Sequence, residues 1–175
     1  MSTLLYNVSG LSREPVGSTR EYAFDDEVAV DHGSRHVTGH AKMLRTAEGV
    51  LVSADLSGVE HEKCSRCLRD IEVPIHVEFD EEFFSTVDAR TGAPLPAPED
   101  ADAFRIDGQQ QLALGEAVRQ WWTATVPMQP LCRPDCAGLC ARCGKDLNEG
   151  PCLCAPEGDE RWAVLGQLAN KLEGK

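Results

Sequence analysis

Eight cysteines are the residues whose type and spacing point most directly to chemistry. They stand at Cys64, Cys67, Cys132, Cys136, Cys140, Cys143, Cys152 and Cys154. The pattern Cys-x2-Cys occurs twice, as CSRC and CARC, and a turn of this length lets two thiolates reach one tetrahedral Zn²⁺ at about 2.3 Å each. Gly144 follows the second pair and tolerates the left-handed backbone that a tight metal-binding turn often needs.

The number of cysteines matches two closed zinc sites, because a structural site takes four ligands. The last four cysteines are near enough in sequence to close one site, with residues 148–151 as the return turn. This predicted distal tetrad is Cys140, Cys143, Cys152 and Cys154. The other four form the predicted proximal tetrad, which is Cys64, Cys67, Cys132 and Cys136. An interleaved grouping, with the two Cys-x2-Cys pairs sharing one ion, stays open.

The free energy of zinc binding exceeds the entropic cost of closing the proximal tetrad over a long loop. Lengthening the loop from about 15 to about 65 residues costs roughly 1.2 kcal/mol, whereas structural zinc binding supplies on the order of 10–16 kcal/mol. We therefore expect zinc to attach the C-terminal cysteine-rich arm to the domain that precedes it.

Other roles for the cysteines fit the sequence less well. A thioredoxin-like redox pair lies at a helix start beside a βαβ unit, and neither pair has that setting. The ferredoxin spacing of an iron–sulfur protein is not matched. Simple burial as small residues does not explain eight cysteines in two tight groups.

The acidic charge makes a phosphate-binding role doubtful and favours a basic protein partner. The formal net charge is −12, and affinity for a nucleic-acid backbone comes from positive charge. Between Glu78 and Asp107 nine acids face two arginines, whereas from Cys132 onward seven acids meet six bases. The acidic surface therefore lies upstream of the cysteine-rich arm. A purely solubilising role for these acids carries at least equal weight.

No catalytic constellation accompanies the cysteines. The sequence shows neither a nucleophile–base pair nor a phosphate-cradling glycine loop, and a fully ligated zinc site keeps no open position. We expect no enzymatic activity. His32, His36 and His40 repeat every four residues, but the nearby glycines argue against a helix, so we interpret them as surface histidines.

The N-terminus lacks the basic start and apolar run of a secretory signal, and no apolar stretch nears the roughly 18 residues of a membrane span. We therefore expect a cytoplasmic protein. Stable structural disulfides are rare in that reducing compartment. This again favours the thiols as ligands of a metal ion.

Hydrophobic periodicity predicts strands first and a helix later. Residues 71–79 alternate well and predict a half-buried antiparallel strand, in which Pro74 suits an edge or a bulge. Residues 112–126 place Leu114, Val118 and Trp121 at helical spacing, with Trp121 expected in the core, and Pro127 ends that helix. An amphipathic pattern near the C-terminus predicts a short last helix, with Asp159 as its N-cap.

These patterns predict an α+β, mainly β fold. It is a small antiparallel sheet or barrel-like domain with a packing helix and a zinc-stapled arm that ends in a short helix. The predicted layout is an extended segment at 1–30, the β domain with the first cysteine pair at 31–87, an acidic Pro-rich loop at 88–105, the packing helix at 106–130 and the cysteine-rich arm with its helix at 131–175.

Several stretches together resemble the YceD family, the large ribosomal RNA subunit accumulation proteins. They are LSREPVGS near the start, CSRCL and the strand after it, the helix ending in VP, the string LCRPDCAGLCARCGKDLN, CLC, and DERWAVLGQL. The resemblance covers most of the chain, and the string from Pro130 to Gly144 is its most specific part.

The resemblance implies a bacterial ribosome-biogenesis factor that supports accumulation of large-subunit (23S) ribosomal RNA and has no established enzymatic activity. Assembly intermediates of the large subunit, or a basic ribosomal protein, would be its partners. The family varies in the distal part of the arm, which implies that Cys152 and Cys154 belong with Cys140 and Cys143, and that the second site is dispensable to the shared role. The alternatives left open by the residues are a zinc-ribbon RNA-binding module and a thiol redox or metal-responsive regulator.

Overall fold

Long antiparallel strands dominate the computed structural model, which describes residues 4–31 and 33–154. The main sheet has five strands in chain order: β2 (Thr19–Val30), β3 (Gly33–Arg45), β4 (Gly49–Lys63), β5 (Asp70–Ser85) and β6 (Arg105–Ile106). Only β6 runs parallel to its neighbour. A small second sheet pairs β1 (Leu5–Asn7) with β7 (Gln111–Ala113). Two helices, α1 (Ser9–Arg13) and α2 (Leu114–Thr125), complete the regular elements of this part.

The described chain divides into two units. The first comprises the described residues up to Lys63 together with Asp70–Pro130, and it holds every strand and both helices. The second comprises Cys64–Arg69 and the described residues from Leu131 onward, with one 3₁₀ turn at Leu147–Glu149. Cys64–Arg69 is also the connection between β4 and β5, so the second unit is assembled from a hairpin loop and a distant arm. The prediction of a mainly β, antiparallel fold with a packing helix is confirmed.

Strict alternation along the strands builds the core of the first unit. In the middle of β4 and β5, from Val50 to Leu56 and from Ile75 to Phe79, every second side chain is apolar and buried, and most side chains between them are polar. The same pattern holds around Val37 and Met43 on β3. Helix α2 packs on the apolar face with residues at helical spacing, Leu114, Val118 and Trp122. Burial of each such side chain contributes roughly 1.5–3 kcal/mol, which makes this face the main source of stability.

Trp122 rather than Trp121 is the core residue of α2. The Trp122 ring is 1% exposed and its Nε1 donates to the Glu60 carboxylate at 2.8 Å. Trp121 is 37% exposed, and its ring stacks on Phe79 at the edge of the helix. The expectation for Trp121 was wrong because both tryptophans fit a helical stripe, and only Trp122 finds a buried acceptor for its indole N–H.

A buried ion pair stands beside this tryptophan. Arg35 on β3 donates through Nε to the Glu60 carboxylate on β4 at 2.6 Å, and a second guanidinium nitrogen pairs with it as well. Burial alone would raise the pKa of Glu60, but the hydrogen bonds from Arg35 and Trp122 outweigh it and lower that pKa. The charge is therefore retained inside the fold only because both donors are in place.

Three other features depart from, or refine, the predicted layout. Residues before Val30 form two strands and a helix rather than a plain extended segment, because Phe24 and Val28 continue the apolar face of the sheet. Pro74 lies where β5 has β4 as its one partner in the sheet, so its missing N–H costs no ladder hydrogen bond. Helix α2 ends before Pro127 as predicted. The predicted last helix lies outside the described residues.

We predict that Gly58→Ala destabilises the first unit, whereas Gly108→Ala does not. A Cβ on Gly58 would lie 2.6 Å from the carbonyl oxygen of His36 and 2.8 Å from the Trp122 ring, whereas one on Gly108 meets nothing within 4 Å. Overpacking of this kind costs about 1–3 kcal/mol. Urea denaturation of both variants measures the difference, and equal midpoints would refute this description of the core.

We also predict that Arg35→Met lowers the free energy of unfolding by about 3 kcal/mol at neutral pH, because Glu60 is left charged and unpaired in the interior. The control is Arg20→Met, which breaks the exposed pair with Glu14 and should cost at most about 1 kcal/mol.

The loss of unfolding free energy in Arg35→Met should become smaller as the pH falls. Since the folded pKa of Glu60 is depressed, its contribution is present above the ordinary glutamate pKa of about 4.3 and is lost as the pH falls through the folded value. The gap between the wild type and Arg35→Met should therefore narrow in acid. A gap that stays constant with pH would show that the loss is one of packing alone.

Candidate metal centres

The first Cys-x2-Cys pair lies on a tight turn that joins β4 to β5. The N–H of Cys64 donates to the carbonyl of Arg69 at 2.8 Å, and the N–H of Leu68 donates back to the carbonyl of Cys64 at 2.9 Å. Leu68 adopts φ 60°, the left-handed region, which costs a non-glycine residue roughly 1–2 kcal/mol. This strained backbone aims the side chains of Cys64 and Cys67 in one direction.

The second pair lies on a turn of the same construction. The N–H of Cys140 donates to the carbonyl of Lys145 at 2.8 Å, and the N–H of Gly144 donates to the carbonyl of Cys140 at 2.9 Å. Gly144 stands where the first turn has Leu68, and its φ is 71°. The sequence argument for a left-handed glycine here is therefore correct, and the same conformation in CSRCL was missed because leucine gives no such signal.

Each turn contributes two sulfurs to a cluster of four. The proximal tetrad brings together Cys64, Cys67, Cys132 and Cys136, and the distal tetrad brings together Cys140, Cys143, Cys152 and Cys154. Within each, the Sγ atoms all lie within 4.8 Å of one another. This is the grouping that loop entropy favours, and the structure does not show the interleaved one.

The sulfur separations match a tetrahedron around one ion. The Sγ atoms of Cys64 and Cys136 lie 3.8 Å apart, and those of Cys67 and Cys132 lie 3.7 Å apart. With a metal–sulfur distance of about 2.3 Å, the edge of a tetrahedron is about 3.8 Å. A disulfide needs about 2.05 Å, so these are free thiols rather than bonded pairs. The donor set could hold a soft or borderline ion such as Zn²⁺ or iron.

Four sulfurs at this spacing titrate unequally. Hydrogen bonds from backbone N–H groups, that of Cys132 first, lower the pKa of Cys64 to about 6. Burial, with the adjacent thiols, raises the pKa of Cys132 to about 12. The distal tetrad repeats the contrast, with a pKa of about 6 for Cys140, owing chiefly to the N–H of Cys143, and about 12 for Cys154, owing chiefly to the Cys143 sulfur. Cys64 and Cys140 therefore form thiolates readily, whereas Cys132 and Cys154 stay protonated unless a cation lies beside them.

The described part of the second unit has almost no other core. Its buried residues are Cys64, Cys67, Cys136 and Gly138. The leucines found there are at least partly exposed; Leu68 is 59% exposed and Leu153 is fully exposed. Because so little apolar surface is removed from water, hydrophobic burial contributes little to the stability of these described residues, and ions held by the eight sulfurs could supply what is missing.

Asn148 joins the two clusters. It lies in the chain between Cys143 and Cys152, yet its Nδ2 is 3.5 Å from the Sγ of Cys136 in the proximal tetrad. Its Oδ1 accepts from the N–H of Ala137 at 2.8 Å. The hydrogen bond from Asn148 counteracts burial and lowers the pKa of Cys136. The sequence suggested only a return turn here, and nothing in it shows that the amide reaches the other cluster.

The basic residues beside the clusters bind local acceptors. Arg66 donates to the carbonyl of Cys136 at 2.8 Å, Arg69 pairs with Asp146 at 3.4 Å, and Lys145 donates to the carbonyl of Pro151 at 2.9 Å. These contacts fasten the two turns to the arm. These local contacts engage side chains that would otherwise be available to an external phosphate.

A third group of ligand-type side chains lies on the exposed sheet face. Asp55, His76 and Glu78 have ligand atoms within 4.8 Å of one another. His76 is already engaged by the Ser57 hydroxyl at 3.1 Å and by Glu78 at 3.2 Å, so ordinary hydrogen bonding accounts for the cluster. His36 and His40 are exposed on β3 as predicted, and His32 lies outside the described residues.

Comparison with known proteins adds a family to this geometry. A family model described as "Large ribosomal RNA subunit accumulation protein YceD" matches residues 52–169, a span that contains all eight cysteines. No solved structure matches the chain. Within the described residues, no helix is long and apolar enough to cross a membrane.

The curated relatives include three mycobacterial proteins, all described as uncharacterized. Those of Mycobacterium tuberculosis and Mycobacterium bovis are each 28% identical over 152 residues, covering 85% of this chain and 70% of the relative. One from Mycobacterium leprae is 29% identical over 122 residues, covering 70% of this chain and 54% of the relative.

We predict that Asn148→Ala weakens metal binding by the proximal tetrad about 10- to 100-fold, the usual effect of losing an outer hydrogen bond to a ligand. Co²⁺ titration measures it, because sulfur-to-cobalt absorption reports each four-thiolate site and Zn²⁺ competition gives the affinity. The neighbouring Glu149→Gln is the matched control, since no hydrogen bond to a sulfur involves its carboxylate. Equal affinities for the two variants would show that Asn148 does not support the cluster.

Proposed function

Because the chain belongs to the YceD family of large ribosomal RNA subunit accumulation proteins, we propose that it is a non-enzymatic, cytoplasmic factor that supports accumulation of 23S ribosomal RNA. It would act through a protein or pre-ribosomal partner during assembly of the large subunit. The single observation that carries the proposal is the family match, which spans both tetrads, most of β4, and all of β5 and α2.

Zinc is the metal that best suits this role. Each tetrad offers four thiolates in a tetrahedral arrangement, the donor set of closed structural zinc sites. A multi-iron cluster needs its thiolates farther apart, because several irons and sulfides lie between them. Zn²⁺ also has no redox chemistry, which suits a part whose work is to hold two chain segments together.

The closed coordination supports a scaffold rather than a catalyst. All four positions of a tetrahedral ion would be filled by protein sulfurs in either tetrad, so a bound substrate or water has no place on the metal. The role of zinc here would be to fix the β4–β5 loop and the cysteine-rich arm in one arrangement.

The charge distribution favours a protein partner over direct RNA binding. In the described part of the second unit five basic residues face three acids, but two Zn(Cys)₄ sites would each add a net charge of about −2. That would leave the unit slightly negative. Its basic side chains are also used locally, as those of Arg66, Arg69 and Lys145 show. RNA binding by a zinc ribbon needs free positive charge.

The turns also argue against a redox regulator. A reactive Cys-x-x-Cys thiolate usually lies at a helix N-terminus. Here Cys67 is followed by β5, and the residues after Cys143 run through a turn into the 3₁₀ turn at Leu147–Glu149. Each low-pKa sulfur is enclosed by three other sulfurs, which suits metal capture.

We predict that loss of the protein from a bacterial host lowers large-subunit relative to small-subunit ribosomal RNA, and that the wild-type gene restores the ratio. The double variant Cys64→Ser/Cys67→Ser should fail to restore it, because the buried proximal tetrad loses half its ligands. Ser65→Ala, in the same turn, is the matched control and should restore it fully.

Cys152→Ser/Cys154→Ser should restore the ratio at least in part, since the distal tetrad is more exposed. Sucrose-gradient subunit profiles and quantified 23S and 16S RNA give the readout. An unchanged profile in the absence of the protein would refute the proposed function outright.

A further inference from the structure

The outward face of the main sheet carries rows of side chains that run across four strands. One row is Glu21, Lys42, Ser53 and Asp80. The next is Ala23, His40, Asp55 and Glu78, and the third is Asp25, Thr38, Ser57 and His76. Residues of these three rows are exposed or half-buried, and Lys42 is the one lysine or arginine among the twelve positions.

The acids of this face outnumber its cations by a wide margin. With Glu27 beside the third row on β2, six acidic side chains share the surface. We call this set the acidic face: Glu21, Asp25, Glu27, Asp55, Glu78 and Asp80. Several of these carboxylates have local partners: Asp25 lies 3.0 Å from a ring nitrogen of His36, Glu78 lies 3.2 Å from one of His76, and Glu27 accepts from the Ser34 hydroxyl at 2.7 Å.

The arrangement is unlike the scattered charge that keeps a protein soluble. Acids on neighbouring strands stand directly opposite one another in the Asp55–Glu78 pair, an arrangement that destabilises a sheet and that is tolerated here with the His76 ring 3.7 Å from Asp55 and 3.2 Å from Glu78. Solubility does not require them, because acids spread over the exposed loops would serve as well. Rigid strands hold this negative charge in fixed rows, where it complements a positively charged surface and repels phosphate.

The dimensions of the face limit what can bind there. Four strands about 4.8 Å apart span about 14 Å, and three rows along a strand span a similar length. The area enclosed by these two lengths is far below the roughly 800 Å² that each partner buries in a stable interface between folded proteins. It suits an extended segment of about five residues, whose side chains alternate at about the spacing of the rows.

We infer that the acidic face is a docking site for an extended lysine- or arginine-rich segment of a protein partner. The carboxylate rows supply the attraction and the flat sheet accepts the segment without rearrangement, so binding is rapid, salt-sensitive and of moderate affinity. The inference rests on the proposed function only for the source of that segment, a basic protein of the assembling large subunit.

The direct test is a binding measurement with a defined probe, a short fluorescent peptide of alternating lysine and serine, on the full chain. The face variant is Glu21→Gln/Asp25→Asn/Glu78→Gln. The matched control is Glu99→Gln/Asp100→Asn/Asp102→Asn in the loop between β5 and β6, which removes the same charge from exposed positions. Circular dichroism confirms that both remain folded.

The face variant should lose about tenfold in affinity and the control less than about twofold, the difference that three exposed ion pairs make. Backbone amide shifts on peptide addition should cluster on β2 to β5. Equal losses in the two variants would show that net charge alone attracts the peptide, and shifts centred elsewhere would assign the binding to another surface. Either result overturns the inference, as would tighter binding of a ribosomal RNA oligonucleotide to the same face.

Complementation separates this inference from the function it builds on. If loss of the protein lowers 23S RNA and the face variant fails to restore it while the loop control succeeds, both stand. If the face variant restores it fully, the docking site is refuted and the proposed function survives. If loss of the protein leaves 23S RNA unchanged, the proposed function fails, and the peptide measurement still decides whether the face binds basic segments.

Discussion

The crowding of four sulfur atoms in each tetrad is the constraint that organises the second unit. In each tetrad four thiols lie within 4.8 Å of one another, a spacing at which several thiolates cannot coexist without a cation between them. In the described part of the second unit little else is buried, so an ion bound by these sulfurs would be a main source of the free energy that orders its two chain segments. The tight turns, the left-handed Leu68 and the amide of Asn148 all serve to place sulfurs at the vertices of a tetrahedron.

The first unit is stabilised by burial of an apolar sheet face. Alternating side chains give its sheet an apolar face, which α2 covers, and a polar face, which remains exposed. Glu60, the one fully buried charged group among the described residues, is matched by Arg35 and Trp122, so burial does not neutralise it. The chain therefore combines a sheet that has its own apolar core with a unit that carries two candidate metal centres, and the β4–β5 loop of the second unit is covalently continuous with the first.

Residue spacing along the chain was enough to predict the cysteine grouping and one of the strands. Cysteine spacing and loop entropy indicated the grouping of the tetrads, and strict alternation from Ile71 to Phe79 indicated a strand because one face of it is buried. Strand β2 was missed because Asp25, Asp26 and Glu27 interrupt its apolar alternation. The Asn148 amide, the Glu60 pairing and the choice between two adjacent tryptophans depend on long-range contacts, which spacing along a chain does not encode.

X-ray absorption at the zinc edge, with metal quantification on the purified full-length chain, tests the central claim most directly. The account predicts two zinc ions per chain, each with four sulfur neighbours at about 2.3 Å and no nitrogen or oxygen in the shell. A folded protein without metal would contradict it, as would mixed sulfur and nitrogen ligation or sulfur–sulfur bonds in place of thiolates. Any of these results would leave the second unit without the interaction that we hold responsible for its order.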